Sequence, residues 1–386
     1  MREFHPIAVR EVHLERGLTD LGGLEGYTQA LVVLRRRGQP IGELLLPVRR
    51  NRVTARTIRD ALPECARTAW SHLVREGHPA RISRPLVSVV VCTRDRAHWL
   101  GDCLKSLGRL TWTPLEILVV DNCPTTDATR RLVEATPGVE YLRCDTPGLD
   151  NARNFGGGAA RGEIVAFTDD DARVDPGWIT ALVMCLEDPT VAVATGVAFP
   201  LEIETPAQFL FEAAGGFRRG LLPRRLGMAH APWAGAAGAG VNMAVRKEVF
   251  LQTGGFDPYL DGGTPTLSGG DHEFFSRVLA RGHRIAYEPS ACVWHLHRKE
   301  SDAVGKTLFG YGVGVYAWWT RSLWVDREYG AVASSVLWFV HYHLRNLLRV
   351  LLGRSSPLPL SLVLAEMRGA LWGPWAYLRS RFFSRL

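Results

Sequence analysis

Three consecutive acids, Asp169, Asp170 and Asp171, follow an apolar run in IVAFTDDDARVDPGWI. Side chains two apart in extended backbone face the same way, so Asp169 and Asp171 can grip one divalent cation. Mg2+ or Mn2+ takes one or two protein carboxylates and fills its remaining positions with phosphate oxygens and water. The plainer alternative is a solvated acidic turn, in which three like charges repel one another. YEPSACVWHLHR places His295 and His297 two apart at the end of another apolar run. A neutral imidazole at 295 can complete a metal shell, or both rings can be satisfied histidines at a domain junction. In SGGDHEFFSRVLARG, Asp271 follows a glycine-rich loop and opens a segment with helical spacing. A carboxylate there can cap the helix, take a proton from a hydroxyl at a cleft, or do both in turn. Arg153 in LDNARNFGGGAARG is a cation that can meet a diphosphate or lie on a helix surface. Asp121 in LEILVVDNC can accept hydrogen bonds from a base or ribose, or begin a turn.

These residues need a frame. Short β-branched runs at 87–92, 116–121, 139–143, 163–168 and 191–198 alternate with amphipathic segments at 98–107, 126–135, 149–160 and 178–187. That alternation predicts an α/β domain of parallel strands buried by crossover helices. Ligands in such sheets bind beyond the carboxyl ends of strands, where Thr93, Arg94, Asp121 and the three acids fall. CTRDRAHWL after the first strand contains no GxGxxG and the chain has no Walker loop, which argues against dinucleotide-binding Rossmann and P-loop chemistry. Residues 1–80 read as a small β-rich unit, with runs at 27–34 and 40–48 split by a turn at Arg36 to Gln39. A helical stretch at 58–75 and a linker at 78–85 complete it. The sheet domain spans 85–300, and 301–386 is a helical tail.

The chain has 386 residues, 46% of them apolar and 22% charged, too apolar for disorder and without collagen, coiled-coil or disulfide-scaffold signatures. Its seven cysteines are scattered singly with no CxxC, which suits a reducing compartment. The opening MREFHPIAVREVHLERG has no apolar signal core, and the uncharged stretch 330–344 is too short for a bilayer span. A cytoplasmic location without a transmembrane helix is expected. The net charge of +7 resides in residues 298–386, where 12 Lys and Arg face 5 Asp and Glu, together with six of the twelve tryptophans. Rings beside cations suit peripheral contact with an anionic membrane, or a helical layer with its tryptophans packed inward. No aromatic RNA-binding motif or helix-turn-helix pattern occurs, so no nucleic-acid partner is expected.

From Pro85 to Arg298 the order of VSVVVCTRDR, VVDN, the ARN helix, TDDD, GAGVNMAVRKEVFLQTGGFDPYL and SGGDHEFFSRVLARGHRIAYEPSACVWH resembles the inverting glycosyltransferase family 2, whose fold is GT-A. The resemblance implies a Rossmann-like nucleotide-diphospho-sugar transferase domain, with the β-rich unit before it and the helical tail after it. It implies a divalent metal, Mn2+ or Mg2+, a nucleotide-diphosphate sugar donor, and a glycan, lipid-linked or small-molecule acceptor in cell-envelope or exopolysaccharide synthesis. Thr93, Arg94 and Asp121 would then hold the nucleoside, and Arg153 would lie near base or diphosphate. Asp169 and Asp171 would form the DxD motif, the first nearer the ribose and the second on the metal, with Asp170 among the nucleotide-sugar contacts. Asp271 would be the general base, Asn242 and Met243 would face the acceptor, and His295 would join the metal. The pattern departs at Gly270, where the family has glutamate; Glu273 is the next acid, and a one-residue shift exchanges their roles, which puts Glu273 on the acceptor side. The loop 257–270, with four glycines, can close over the donor. Two other classes use similar features: a nucleotidyltransferase, which needs a basic triphosphate loop absent from CTRDRAHWL, and a non-catalytic membrane-associated scaffold, which would tolerate loss of Asp171.

Overall fold

The structure is a computed structural model and describes residues 4–69, 83–354 and 358–383. At the N-terminus, β1 (Ile7–His13), β2 (Gln29–Arg36) and β3 (Gln39–Pro47) form a three-stranded sheet, with β1 parallel and β3 antiparallel to β2. The β2–β3 hairpin follows the two predicted apolar runs. β1 was not expected, because Arg10 and Glu11 interrupt its alternation. Helix α1 (Ala55–Ala69) comes next; the remainder of the predicted helix and the start of the linker lie outside the described residues.

The central sheet is built from β4 (Val87–Thr93), α2 (Ala97–Leu107), β5 (Leu115–Asn122), α3 (Ala128–Glu134), β6 (Val139–Cys144), α4 (Leu149–Ala159), β7 (Ile164–Asp169) and β8 (Ala172–Val174). It continues through α5 (Trp178–Leu186), β9 (Val191–Pro200), α6 (Pro206–Ala213), β10 (Arg224–Leu226), β11 (Met243–Arg246), α7 (Lys247–Thr253), α8 (Gly270–Ala280) and β12 (Arg284–His295). A 3-10 segment, Met228–Ala237, links β10 to β11. The strand order is β10-β12-β9-β11-β7-β4-β5-β6, with β8 pairing β12. Strands β7, β4, β5 and β6 are parallel as expected, but the sheet as a whole is mixed. β11 runs antiparallel between β7 and β9, and β8 and β10 run antiparallel to β12. Four residues of MAVR carry too little pattern to reveal direction, so the all-parallel expectation is corrected here.

Continuous apolar strands are what a sheet covered on both faces requires. Val89, Val90, Val91, Val119 and Val120 are all fully buried, and each is worth about 1.5–3 kcal/mol relative to exposure. One face packs against α2 and α5, through Leu100, Leu104, Trp178 and Leu182. The other packs against α4, α7 and α8, through Ala152, Phe250, Phe274 and Phe275.

The tail is helical: α9 (Ser301–Trp324), α10 (Gly330–Trp338), a π-helical turn Phe339–Leu344, α11 (Arg345–Leu351) and α12 (Leu360–Phe383). Gly312, Gly369 and Gly373 let α9 and α12 meet backbone to backbone; a Cβ at Gly369 would lie 2.0 Å from the Phe309 carbonyl oxygen. Trp318 and Trp319 pack into the core on the α4, α7 and α8 side of the sheet, whereas Trp324, Trp372 and Trp375 are exposed. The inward-packed reading of the tryptophans holds for Trp318 and Trp319. No helix among the described residues is long and apolar enough to cross a membrane.

Arg35 fastens the N-terminal sheet to the central one. Its buried guanidinium reaches Glu11 at 2.8 Å and Asp175 at 2.5 Å, while Val33 packs with Val197, Phe199 and Tyr287.

Candidate active site

The acids after β7 sit in a turn rather than in extended backbone, because β7 ends at Asp169 and β8 begins at Ala172. The turn separates their tasks. Asp170 points inward, accepting from Thr93 Oγ1 at 2.6 Å and pairing with Arg96 at 2.8 Å; burial pushes its pKa up to about 7 against the pull of Arg96. Asp171 pairs with Arg96 Nη2 at 2.6 Å and lies 3.1 Å from His295 Nε2. Burial opposes its charge, but His295 and Arg96 outweigh burial and hold its carboxyl below the ordinary value. Asp169, Asp171 and His295 each offer a ligand atom, all within 4.8 Å of one another. Asp171 Oδ1 is buried without a hydrogen-bond partner. Two carboxylates, an imidazole and an unsatisfied inward oxygen fit a divalent cation.

A chain of contacts orients His295. Its Nδ1 lies 3.0 Å from His297 Nδ1, and His297 Nε2 lies 2.8 Å from Glu212 Oε1. Burial lowers the pKa of His297, so it is neutral. Glu212 can only accept, which places the His297 proton on Nε2 and leaves its Nδ1 as an acceptor. The hydrogen-bond partners therefore assign Nδ1–H to His295 and leave Nε2, 3.1 Å from Asp171 Oδ1, as the nitrogen that would face a cation. Phe217 and Phe211 close around the two rings, at 4.9 Å from His295 and 4.5 Å from His297.

Arg153 is buried in α4. Its guanidinium reaches Asp261 at 2.9 Å, Asp150 at 3.1 Å and Asp169 at 3.6 Å. Burial alone would weaken its charge; Asp261, Asp150 and Asp169 reverse that and raise its pKa. Asp271 stands nearby in the first turn of α8, whose N-cap is Gly269, so Asp271 is not the cap. Its Oδ2 accepts from the Gly240 amide at 2.9 Å and its Oδ1 from the His272 amide at 2.8 Å. Burial raises its pKa, yet His272, Arg153 and these two amides outweigh burial and keep it ionised at neutral pH.

Gly270 has a steric cause. A Cβ at that position would lie 1.9 Å from Asp150 Oδ2, so the Asp150 carboxylate occupies the space a side chain at 270 would need. The acid missing from α8 is replaced in space by one from α4. Asp150 Oδ2 itself has no hydrogen-bond partner, and burial, with Asp261 beside it, raises the Asp150 pKa well above the ordinary value.

One cavity of about 1690 Å3 joins these groups; Arg153, Asp169, Asp170, Asp171, Asp271 and His295 all line it. The other predicted residues lie off it. Thr93 sits behind Asp170, and Arg94 is exposed beside it. Asp121 is buried at the end of β5, with Oδ2 on Tyr141 at 3.1 Å and Oδ1 unpartnered. Asn242 is fully buried, bonding Trp178, Val197 and Ala291. Met243 is fully buried in the core. Glu273 pairs with Arg277 at 2.6 Å and Arg321 at 3.1 Å. Sequence reasoning missed Arg96, Asp150, Glu212 and Asp261, and gave His297 no role. Arg96 stood in plain view, two residues beyond Arg94 in TRDR; Glu212 and Asp261 lie in segments whose proximity only the fold reveals.

A mixed sheet with an acidic turn and a neighbouring histidine at its ligand edge defines a GT-A fold with a candidate metal site. Residues 88–254 match the family model described as "Glycosyl transferase family 2". The chain is 30% identical over 250 residues to the pre-mycofactocin glycosyltransferase of Mycobacterium tuberculosis, covering 61% of this chain and 48% of that one. It is 28% identical over 181 residues to the glucosyl-dolichyl phosphate glucuronosyltransferase of Haloferax volcanii, covering 44% and 56%. The chain thus spans about half the length of these relatives. In fold it is similar to the mannosyltransferase PcManGT of Pyrobaculum calidifontis, solved with GDP-Man and Mn2+. The TM-score is 0.54 at 17% identity, over 82% of this chain and 96% of that one.

Proposed function

We propose that the protein is an inverting glycosyltransferase that moves a sugar from a nucleotide-diphosphate donor to an acceptor hydroxyl. The observation that carries this reading is the placement of a prospective metal triad and an ionised carboxylate, Asp271, on the wall of one cavity. The similarity to PcManGT, solved with GDP-Man and Mn2+, supports a nucleotide-sugar donor. Asp169, Asp171 and His295 would hold Mn2+ or Mg2+, which when bound supplies positive charge to the departing diphosphate. Arg153 adds a buried cation on the same side. Asp121 Oδ1, an acceptor without a donor, suits an N–H of the base; Thr93 and Asp170 brace the wall beneath the donor, and Arg94 stands free at its edge. Asp271 takes the acceptor proton from the opposite side, so displacement is in line and the anomeric configuration inverts. Asn242, Met243 and Glu273 act from behind the acceptor wall, fixing β11 and α8.

The tail suits peripheral contact with an anionic membrane at its cytoplasmic face, in keeping with an envelope or exopolysaccharide role. Val332, Val336, Val340, Leu348 and Leu351 form an exposed apolar stripe along α10 and α11, beside Arg345 and Arg349.

The test is nucleoside diphosphate release from UDP-, GDP- and dTDP-sugars with Mn2+. Asp171→Ala is expected to abolish metal-dependent donor binding. Asp271→Asn is expected to keep donor binding and lose about 10²- to 10⁴-fold in transfer. Pyrophosphate as the product would instead identify a nucleotidyltransferase, and unchanged turnover in Asp271→Asn would remove the base from the mechanism.

A further inference from the structure

The cavity is larger than the donor-side cluster, and its second half is built by the tail and by the segment between β10 and β11. Arg219 projects into this half. Its Nε donates to the Gly235 carbonyl at 2.7 Å and its Nη1 to the Arg218 carbonyl at 3.0 Å. Among the described residues no carboxylate lies within 4 Å of it, and no hydrogen bond is formed by Nη2. Arg96, Arg153 and Arg218, three other arginines of the cavity wall, each face a carboxylate. Burial lowers the pKa of Arg219, with Asp271 and Tyr311 the nearest opposing influences. A desolvated cation without a counter-charge is costly unless an anion arrives to meet it.

The surroundings of Arg219 say what else that anion carries. Gly235 and Trp233 belong to the same 3-10 segment. Trp233 meets Trp338 at 5.8 Å and Trp319 at 6.2 Å, so an aromatic wall begins two residues from the guanidinium's anchor. All three rings line the cavity. Arg219 also lies on the base side of the site: its charge acts on Asp271, His272 and Tyr311.

We infer that the acceptor is an anionic amphiphile, whose phosphate or carboxylate meets Arg219 while an apolar or aromatic portion lies along Trp233, Trp319 and Trp338. This rests on the glycosyl-transfer reading and names the substrate class of its acceptor side. Such a ligand satisfies the free guanidinium edge, covers apolar rings, and leaves a hydroxyl to present to Asp271.

Calorimetry with the full chain, saturated with UDP or GDP plus Mn2+ to fill the donor side, tests it using octyl phosphate, octanol and inorganic phosphate as probes. Octyl phosphate is expected to bind at least 10-fold more tightly than either of the others. Arg219→Gln is expected to lose about 10- to 100-fold of that affinity, Arg219→Lys to recover part of it, and both to bind nucleoside diphosphate as wild type does. Equal affinity for octyl phosphate and octanol overturns the anionic half, and equal affinity for octyl phosphate and inorganic phosphate overturns the amphiphilic half. Weakened nucleoside diphosphate binding in Arg219→Gln, with octyl phosphate unaffected, moves Arg219 to the donor's diphosphate. The wild-type comparison stands even if Arg219→Gln misfolds. If wild type binds no nucleoside diphosphate, the glycosyl-transfer reading falls and the acceptor with it; if it binds nucleoside diphosphate but not octyl phosphate, only the acceptor assignment falls.

Discussion

His295 is held in its orientation by groups that never touch the prospective cation. Glu212 fixes the proton on His297, and His297 in turn fixes the proton on His295. Replacing Glu212 by Gln offers an amide whose nitrogen can donate where only an acceptor stood, which frees both rings to change tautomer. Mn2+ affinity is expected to fall by about 10- to 100-fold in Glu212→Gln, the usual scale for partners behind a metal ligand. Titration of Mn2+ by electron paramagnetic resonance reads this without any turnover; an unchanged dissociation constant would show that the ring is held by its phenylalanine neighbours alone. At this scale the sequence was readable where chemistry is carried by adjacent residues. TDDD, and the histidine after an apolar strand, announce themselves by spacing. Glu212 lies 85 residues from His297, and Asp150 meets Gly270 from another helix. Neither pairing leaves a local trace, because both depend on how α4 and α6 lie across the sheet.

Strands β4, β5, β6, β7 and β9 were legible because sheets covered on both faces demand unbroken β-branched runs, and α2, α4 and α5 because crossover helices show a single apolar face. β8, β10 and β11 are three or four residues long. Partner strands decide their direction, and no periodicity can reveal it. Helix α12 carries a feature with a measurable signature. Glu366 lies in the cavity wall near Tyr342, and burial pushes its pKa from 4.5 up to about 7, against a hydrogen bond from Tyr342. The unfolded chain releases this proton near 4.5 while the folded chain retains it to about 7. Stability from this group is therefore full below pH 4.5 and is lost as pH rises toward 7, by ~3 kcal/mol at most. Glu366→Gln is expected to match wild type in urea unfolding near pH 4.5 and to exceed it at pH 8. An equal deficit at both values would mean that the carboxylic acid contributes packing rather than titration.

The N-terminal sheet, the catalytic sheet and the helical tail share buried contacts. Arg35 binds Glu11 and Asp175 across the first junction. Arg321 of α9 reaches Asp257 at 2.7 Å and Glu273 at 3.1 Å, so the tail grips both the loop before α8 and α8 itself. The charge of the whole molecule is concentrated in that tail, next to the exposed stripe from Val332 to Leu351. Each Lys or Arg near an anionic surface contributes about 1 kcal/mol, screened by salt. Sedimentation with phosphatidylserine-containing vesicles is expected at low salt and lost at 0.5 M NaCl, and Val336→Glu with Leu348→Glu is expected to weaken it at both. Equal sedimentation of the double variant would place any membrane contact elsewhere.

The roof over Asp271 comes from helices outside the matched family segment, since Tyr311, Trp318 and Trp319 belong to α9 and Glu366 and Arg368 to α12. On the proposed function, these closing helices would bear on the choice of recipient. A chimaera that grafts a relative's closing helices onto this sheet would inherit a foreign taste for what is glycosylated while keeping its native sugar source.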